Sequence, residues 1–207
     1  MSLATWFAFA LASTVLLLIP GPTVLLVVSY ALTQGRRVAV AMAAGVALGD
    51  FVAMTASLAG LGALLLASAT LFTVLKWAGA AYLAYLGIRL WLARPVLPDV
   101  DTATPPESVR GVFGHAFVVT ALNPKSIAFF VAFVPQFIDH HAALLPQLAI
   151  MEATFVGLAT LNALLFAIAA DGVRARIRRP AVLKWLNRAG ASCLVGMGAA
   201  TATLSRN

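Results

Sequence analysis

In an otherwise apolar chain, a few polar residues stand out because they fall where polar groups are costly. Asp50 lies about a dozen residues into a hydrophobic run, flanked by Ala39–Leu48 and the run after Phe51, so its carboxylate cannot easily snorkel to water. An isolated ionised acid in such a place costs on the order of 2.5–3.5 kcal/mol or more. An acid held between burial and a nearby cation can alternate its proton, as proton-coupled transport requires, or it can bind a substrate amine. A purely structural hydrogen-bonding role is the plainer alternative. Glu152 and Asn162 lie in a later apolar run, with Glu152 nearer its end, where snorkelling is open to it. Lys125 follows a proline and could pair with Asp50, meet a carboxylate or simply balance the buried acid.

Two proline interruptions accompany these groups, Pro20-Gly21-Pro22 and Asn123-Pro124-Lys125. Proline removes a backbone donor and clashes with the preceding turn, so a helix should break at each. Each break would expose the N-terminus of a half-helix, whose unpaired N–H groups and dipole favour an anion. Two such ends would suit the carboxylate of a small zwitterion; a simple kink is the alternative reading of either proline. The candidate binding or coupling residues are therefore Pro20, Gly21, Pro22, Asp50, Asn123, Pro124, Lys125, Glu152 and Asn162.

The elements that must carry these residues are membrane spans. Of the 207 residues, 62% are apolar and 10% charged, and mean hydropathy is +0.97, against about 25% charged residues in a soluble domain. Met1 to Gly35 and Phe51 to Leu75 contain no charged side chain, and either run exceeds the roughly 20 residues needed to cross a bilayer core. The N-terminal run lacks a basic flank and is too long for a signal-peptide core, so it is expected to remain as the first span. Six spans are predicted, near Leu3–Leu32, Val38–Leu66, Leu71–Trp91, Val112–Val134, Leu144–Ala169 and Leu183–Leu204, with Gly35 capping the first. Five would result if the Pro-interrupted first segment or the Glu152 segment were re-entrant. The expected class is an all-α polytopic membrane protein, one transmembrane domain over 1–207, with a Pro-rich cytoplasmic linker at 94–110 between halves 1–93 and 111–207.

The halves carry an internal echo. One displacement along the chain takes Pro22 to Pro124, Gln34 to Gln136 and Asp50 to Glu152; with a short insertion, Leu75-Lys76-Trp77 answers to Leu183-Lys184-Trp185 and Ala78-Gly79 to Ala189-Gly190. Three spans per half would set the second half upside down, giving two inverted three-helix repeats with broken helices 1 and 4 and a site between them near the midplane.

The net charge of +7 does not indicate nucleic acid, because the cations collect in loops: Arg36 and Arg37, Arg94 and Arg110, and Arg174 to Arg188. Positive-inside bias places those loops in the cytoplasm and both termini outside. Lys76, Arg89, Lys184 and Arg188 suit snorkelling near span ends, and Trp6, Trp77, Trp91 and Trp185 suit interface belts. Tyr82 and Tyr85 could line a cavity or simply pack. The lone Cys193 cannot form an internal disulfide. Gly45 and Gly49 form a small face beside Asp50 that lets a helix approach, within one chain or between copies of a homo-oligomer. Asp139-His140-His141 is too local to close a metal site alone, and no metal or other cofactor is expected. No phosphate-binding loop or nucleophile–base pair points to an enzyme. Export of another small solute or a metal ion is the nearest alternative function, and a membrane-embedded enzyme a more distant one.

Over essentially its whole length the sequence resembles the LysE/RhtB family of bacterial amino-acid exporters. The resemblance rests on Pro20-Gly21-Pro22, on Gly45 to Gly49-Asp50, on Leu75 to Leu83, on Asn123-Pro124-Lys125-Ser126-Ile127 and on Pro135-Gln136-Phe137-Ile138. It implies an inner-membrane exporter of amino acids such as homoserine, homoserine lactone, threonine, lysine or leucine, driven by the proton gradient. One departure stands out: where the threonine/homoserine type carries a deep acid in the fifth span, this chain has Asn162, with Glu152 earlier.

Overall fold

The computed structural model describes residues 1–19, 21–93, 108–139, 141–170 and 180–204, and all regular structure among them is helical. Ser2 starts α1 (Leu3–Leu18), its hydroxyl accepting from the Thr5 N–H at 3.1 Å. Helix α1 stops at the first interruption, and α2 (Pro22–Gln34) begins with proline in its first turn, where a missing N–H costs least. The two are bent by 56°. A 3₁₀ turn, Gly35–Val38, leads into α3 (Ala39–Ala67). Gly35 takes φ 71°, the region glycine favours, and closes α2 as expected.

Helix α4 (Ala69–Leu92) follows, capped by Ser68. The second half repeats the pattern. Helices α5 (Val109–Ala121) and α6 (Pro124–Ala132) are bent by 42° at Asn123, and a 3₁₀ turn, Val134–Phe137, precedes α7 (Leu144–Ile168) and α8 (Pro180–Leu204). By length and composition α3, α4 and α7 can each cross a membrane, which makes three among the described residues, or five where each bent pair counts as one broken span rather than a re-entrant loop. Helix α8 carries Lys184 and Arg188 and is outside that set, though it packs extensively along α4. Most of the linker, 94–107, and the cations from Arg174 to Arg179 lie outside the described residues.

The distribution of side chains is that of a multi-pass membrane protein. Leu3, Phe7, Leu11, Val40, Leu92 and Leu145 are exposed on the outside, whereas Asp50, Lys125, Asn123, Ser126 and Thr120 are buried. In water the exposed set would form a large unfavourable apolar surface; in lipid it is the favoured exterior. Helix α3 is central and packs against α5, α6 and α7. The small face beside Asp50 permits this: a Cβ on Gly49 would sit 2.8 Å from Thr120 Cβ and 2.9 Å from the Phe117 carbonyl. Across α4 and α8, a Cβ on Gly87 would likewise sit 2.8 Å from the Ala191 carbonyl. Both close contacts lie within the chain.

Candidate functional site

The first break leaves the last carbonyls of α1 short of i+4 partners, at the negative end of a helix dipole, and among the described residues only the Leu16 carbonyl takes a backbone capping bond, from the Ile19 N–H at 3.3 Å. Two residues from the other half supply donors. Lys125, in the first turn of α6, places Nζ 2.9 Å from both the Leu16 and the Ile19 carbonyl oxygens. Asn162, on α7, donates from Nδ2 to the Leu17 carbonyl at 3.3 Å. The Lys125 ammonium lies over Gly21, where a Cβ would come within 3.4 Å of Nζ. Lys125 therefore braces the end of α1.

The second break is closed by its own residues. Asn123 caps α6, its Oδ1 accepting from the Lys125 N–H at 3.1 Å. Its Nδ2 donates across to Thr23 Oγ1 at 3.2 Å, and the Thr23 hydroxyl lies 3.3 Å from that of Thr120. At the end of α5, the Leu122 N–H donates to the Val118 carbonyl and the Asn123 N–H to that of Thr120. A polar bridge thus runs from one interruption to the other.

Between them lies a cavity of about 30 Å³, walled by Leu17, Gly21, Thr23, Val24, Val27, Val46, Asp50, Asn123, Lys125, Ser126, Ala159, Asn162, Ala163 and Phe166. That is room for on the order of one water. An amino acid cannot enter without the surrounding helices moving apart. Asp50 is 2% exposed, and its Oδ1 is buried with no hydrogen-bond partner. Its neighbour in the wall is the start of α2, which has no side-chain cap. Pro22 has no N–H, so the amides of Thr23 and Val24 are the first-turn donors facing this region. The cavity therefore sets a buried carboxyl group with one unmatched oxygen beside an uncapped helix N-terminus, in surroundings where an unmatched polar group is costly.

Of the residues singled out in the sequence, Gly21, Asp50, Asn123, Lys125 and Asn162 line this one cavity. Pro22 and Pro124 begin the two half-helices. Pro20 lies outside the described residues. Glu152 is not in the cavity wall; its carboxylate accepts a hydrogen bond from the Thr55 hydroxyl on α3. On α7 it is Asn162 that reaches the cavity, because the displacement relating the two breaks does not hold along the following helices. Tyr82 and Tyr85 pack on each other, with ring centroids 5.9 Å apart, and are not in the wall. Asp139 closes a turn, accepting from the His141 N–H at 2.9 Å, while His140 lies outside the described residues.

The sequence reading does not single out Thr23 or Thr120, and it names Ser126 only within the motif that carries the family resemblance. Thr23 carried a usable signal, a hydroxyl directly after the first interruption. Thr120 and Ser126 are polar residues near the second that only packing turns inward.

The family profile described as LysE type translocator matches residues 14–205. Proteins named homoserine/homoserine lactone efflux protein, from Salmonella typhimurium and Salmonella typhi, are each 36% identical over 203 residues, covering 98% of this chain and 98% of theirs. A Vibrio cholerae protein named only as a membrane protein is 33% identical over 204 residues, again covering 98% of both chains. No solved structure matches the chain.

Proposed function

The chain belongs to the LysE type translocator family, a family of transporters and not of enzymes, and on that premise we propose that it exports amino acids or close derivatives across the bacterial inner membrane in exchange for protons. The observation that carries this reading is the Asp50 carboxyl group, buried in a cavity between two helix breaks with its Oδ1 lacking a hydrogen-bond partner. A site that must bind a polar solute and a proton in turn needs a group that neither the fold nor solvent already satisfies. Asp50 meets that requirement.

The same reading takes α8 as the sixth span and the chain as two inverted three-helix halves. Its support lies in how the helices pack: α3 against its counterpart α7, α4 against its counterpart α8, and α3 on α6 as α7 is on α2. With both termini in the periplasm, the side bearing Arg36 and Arg37 is cytoplasmic. There the Tyr30 hydroxyl and His115 Nδ1, 2.9 Å apart, join α2 to α5. Toward the other side Phe9 meets Phe137, with ring centroids 5.5 Å apart, joining α1 to the second 3₁₀ turn. Alternating access would open one of these contacts while keeping the other. A cavity of water size then corresponds to both sides being closed.

Asp50→Asn tests the reading. The variant should reach the membrane in normal amount and lose proton-driven efflux of labelled amino acid from loaded vesicles, by about a hundredfold or more if the buried charge is the coupling group. Wild-type efflux rates from this variant would refute the mechanism, and loss of the gradient dependence alone would identify Asp50 as coupling without binding.

A further inference from the structure

The geometry points to a specific division of labour at this site: Asp50 recognises a primary ammonium group, and that ammonium, not the carboxylate, is the feature by which cargo is selected. This rests on the exporter reading above and narrows its substrate class to primary amines carrying an adjacent carbonyl oxygen.

The cavity holds one carboxylate and one cation, and they are not equivalent. The Lys125 ammonium is directed at two main-chain carbonyls, 2.9 Å from each. Asn123 is engaged at both ends, by the Lys125 N–H and by Thr23, which satisfies the second amide position of α6. The more open seat for the carboxyl end of a cargo is the start of α2, which has no side-chain cap and whose first-turn residues Thr23 and Val24 line the cavity. A helix N-terminus amounts to about half a positive charge, and its N–H groups can hold a neutral carbonyl oxygen as well as a carboxylate. Asp50 differs: a carboxyl group that carries a full charge when ionised, 2% exposed, with one oxygen unmatched. A buried charge left without its partner costs far more than a neutral acceptor exchanged for a charged one. Neutralising the cargo's carboxylate should be tolerated; neutralising its ammonium should not.

The test is equilibrium binding of radiolabelled L-homoserine to the purified full-length protein in detergent, with unlabelled competitors. L-homoserine, its lactone and L-homoserine amide should displace the label within about tenfold of one another, while N-acetyl-L-homoserine should be weaker by about a hundredfold or more. Asp50→Asn, checked for unchanged elution on gel filtration, should lose binding of all the amines together. Lys125→Gln keeps an amide donor for the α1 carbonyls and should shift homoserine and its amide by the same factor.

Effective displacement by the N-acetyl compound would overturn the inference, as would selective loss of the carboxylate-bearing ligand in Lys125→Gln, which would make Lys125 the anion ligand. Either result leaves the exporter reading standing, since homoserine itself would still bind. Failure of homoserine, threonine, lysine and leucine alike to bind would instead remove the exporter reading and this inference with it.

Discussion

The two helix breaks occupy matching places in the chain and are built from opposite materials. At the first, Gly21 stands before Pro22 and contributes no side chain, so the start of α2 is uncapped and the end of α1 depends on Lys125 and Asn162 from the other half. At the second, Asn123 caps its own helix through the Lys125 N–H and reaches across to Thr23. One break is an open seat and the other a clamp that holds the seat in shape. An inverted arrangement supplies two equivalent interruptions, but a single asymmetric solute needs only one anion-receiving end next to one carboxylate.

Closing the open break should have the largest effect. Gly21 has φ −135°, an extended conformation that any residue can adopt, and a Cβ there would meet Lys125 Nζ at an ordinary 3.4 Å. Gly21→Asp would cap α2 from within and fill the anion seat. Export is expected to fall to background while the thermal midpoint in detergent holds or rises slightly, since an aspartate N-cap gains about a few tenths of a kcal/mol over glycine. Export at wild-type rates would mean that the start of α2 does not belong to the site.

Weakening the clamp comes next. Lys125→Ala strips a donor from the Leu16 carbonyl, which keeps the Ile19 N–H, and from the Ile19 carbonyl, a loss of about 1–3 kcal/mol for a group left buried without a partner. A thermal-shift measurement should show a drop of several degrees, along with reduced export of every cargo. An unchanged midpoint would show that the α1 end finds other partners.

Asn123→Ala should cost less, about 1 kcal/mol for the lost cap, plus the link to Thr23. Its signature would be a modest fall in thermal midpoint with a larger fall in export, because the link joins the two breaks. Asn123→Asp, which retains the capping oxygen, should recover stability but not the donor to Thr23. Smallest of all is Glu152→Gln. Outside the cavity, with the Thr55 hydroxyl as its partner, it should change stability by no more than about 0.5 kcal/mol and leave efflux and its proton dependence intact. A coupling defect in this variant would put the second acid back into the mechanism.

Much of this architecture is legible in the residues alone. Charge-free runs announce spans, Gly35 announces the end of α2, and two prolines deep in apolar segments announce the breaks, because each rests on local chemistry or on length. The small face of Gly45 and Gly49 likewise predicted the close approach that α5 makes. Less was legible about facing. Asp50 and Glu152 match by displacement, yet only one enters the cavity. A helix that is apolar all round carries little periodic signal to say which side turns inward, so an in-sequence match does not secure a match in rotation. Lys125 shows the same limit in reach: its neighbours in sequence are the second break, while its hydrogen bonds are at the first.

The amino-acid sequence by itself thus determined the solvent this protein folds in, its helical class and the two points where helices must stop, since hydrocarbon excludes unpaired backbone and proline cannot be accommodated silently. Which polar groups meet was decided only in the tertiary structure. There, the close packing of α5 on α3 and the long arm of Lys125 set distances of about 3 Å between residues more than a hundred positions apart, and no local rule in the chain encodes that rotation and reach.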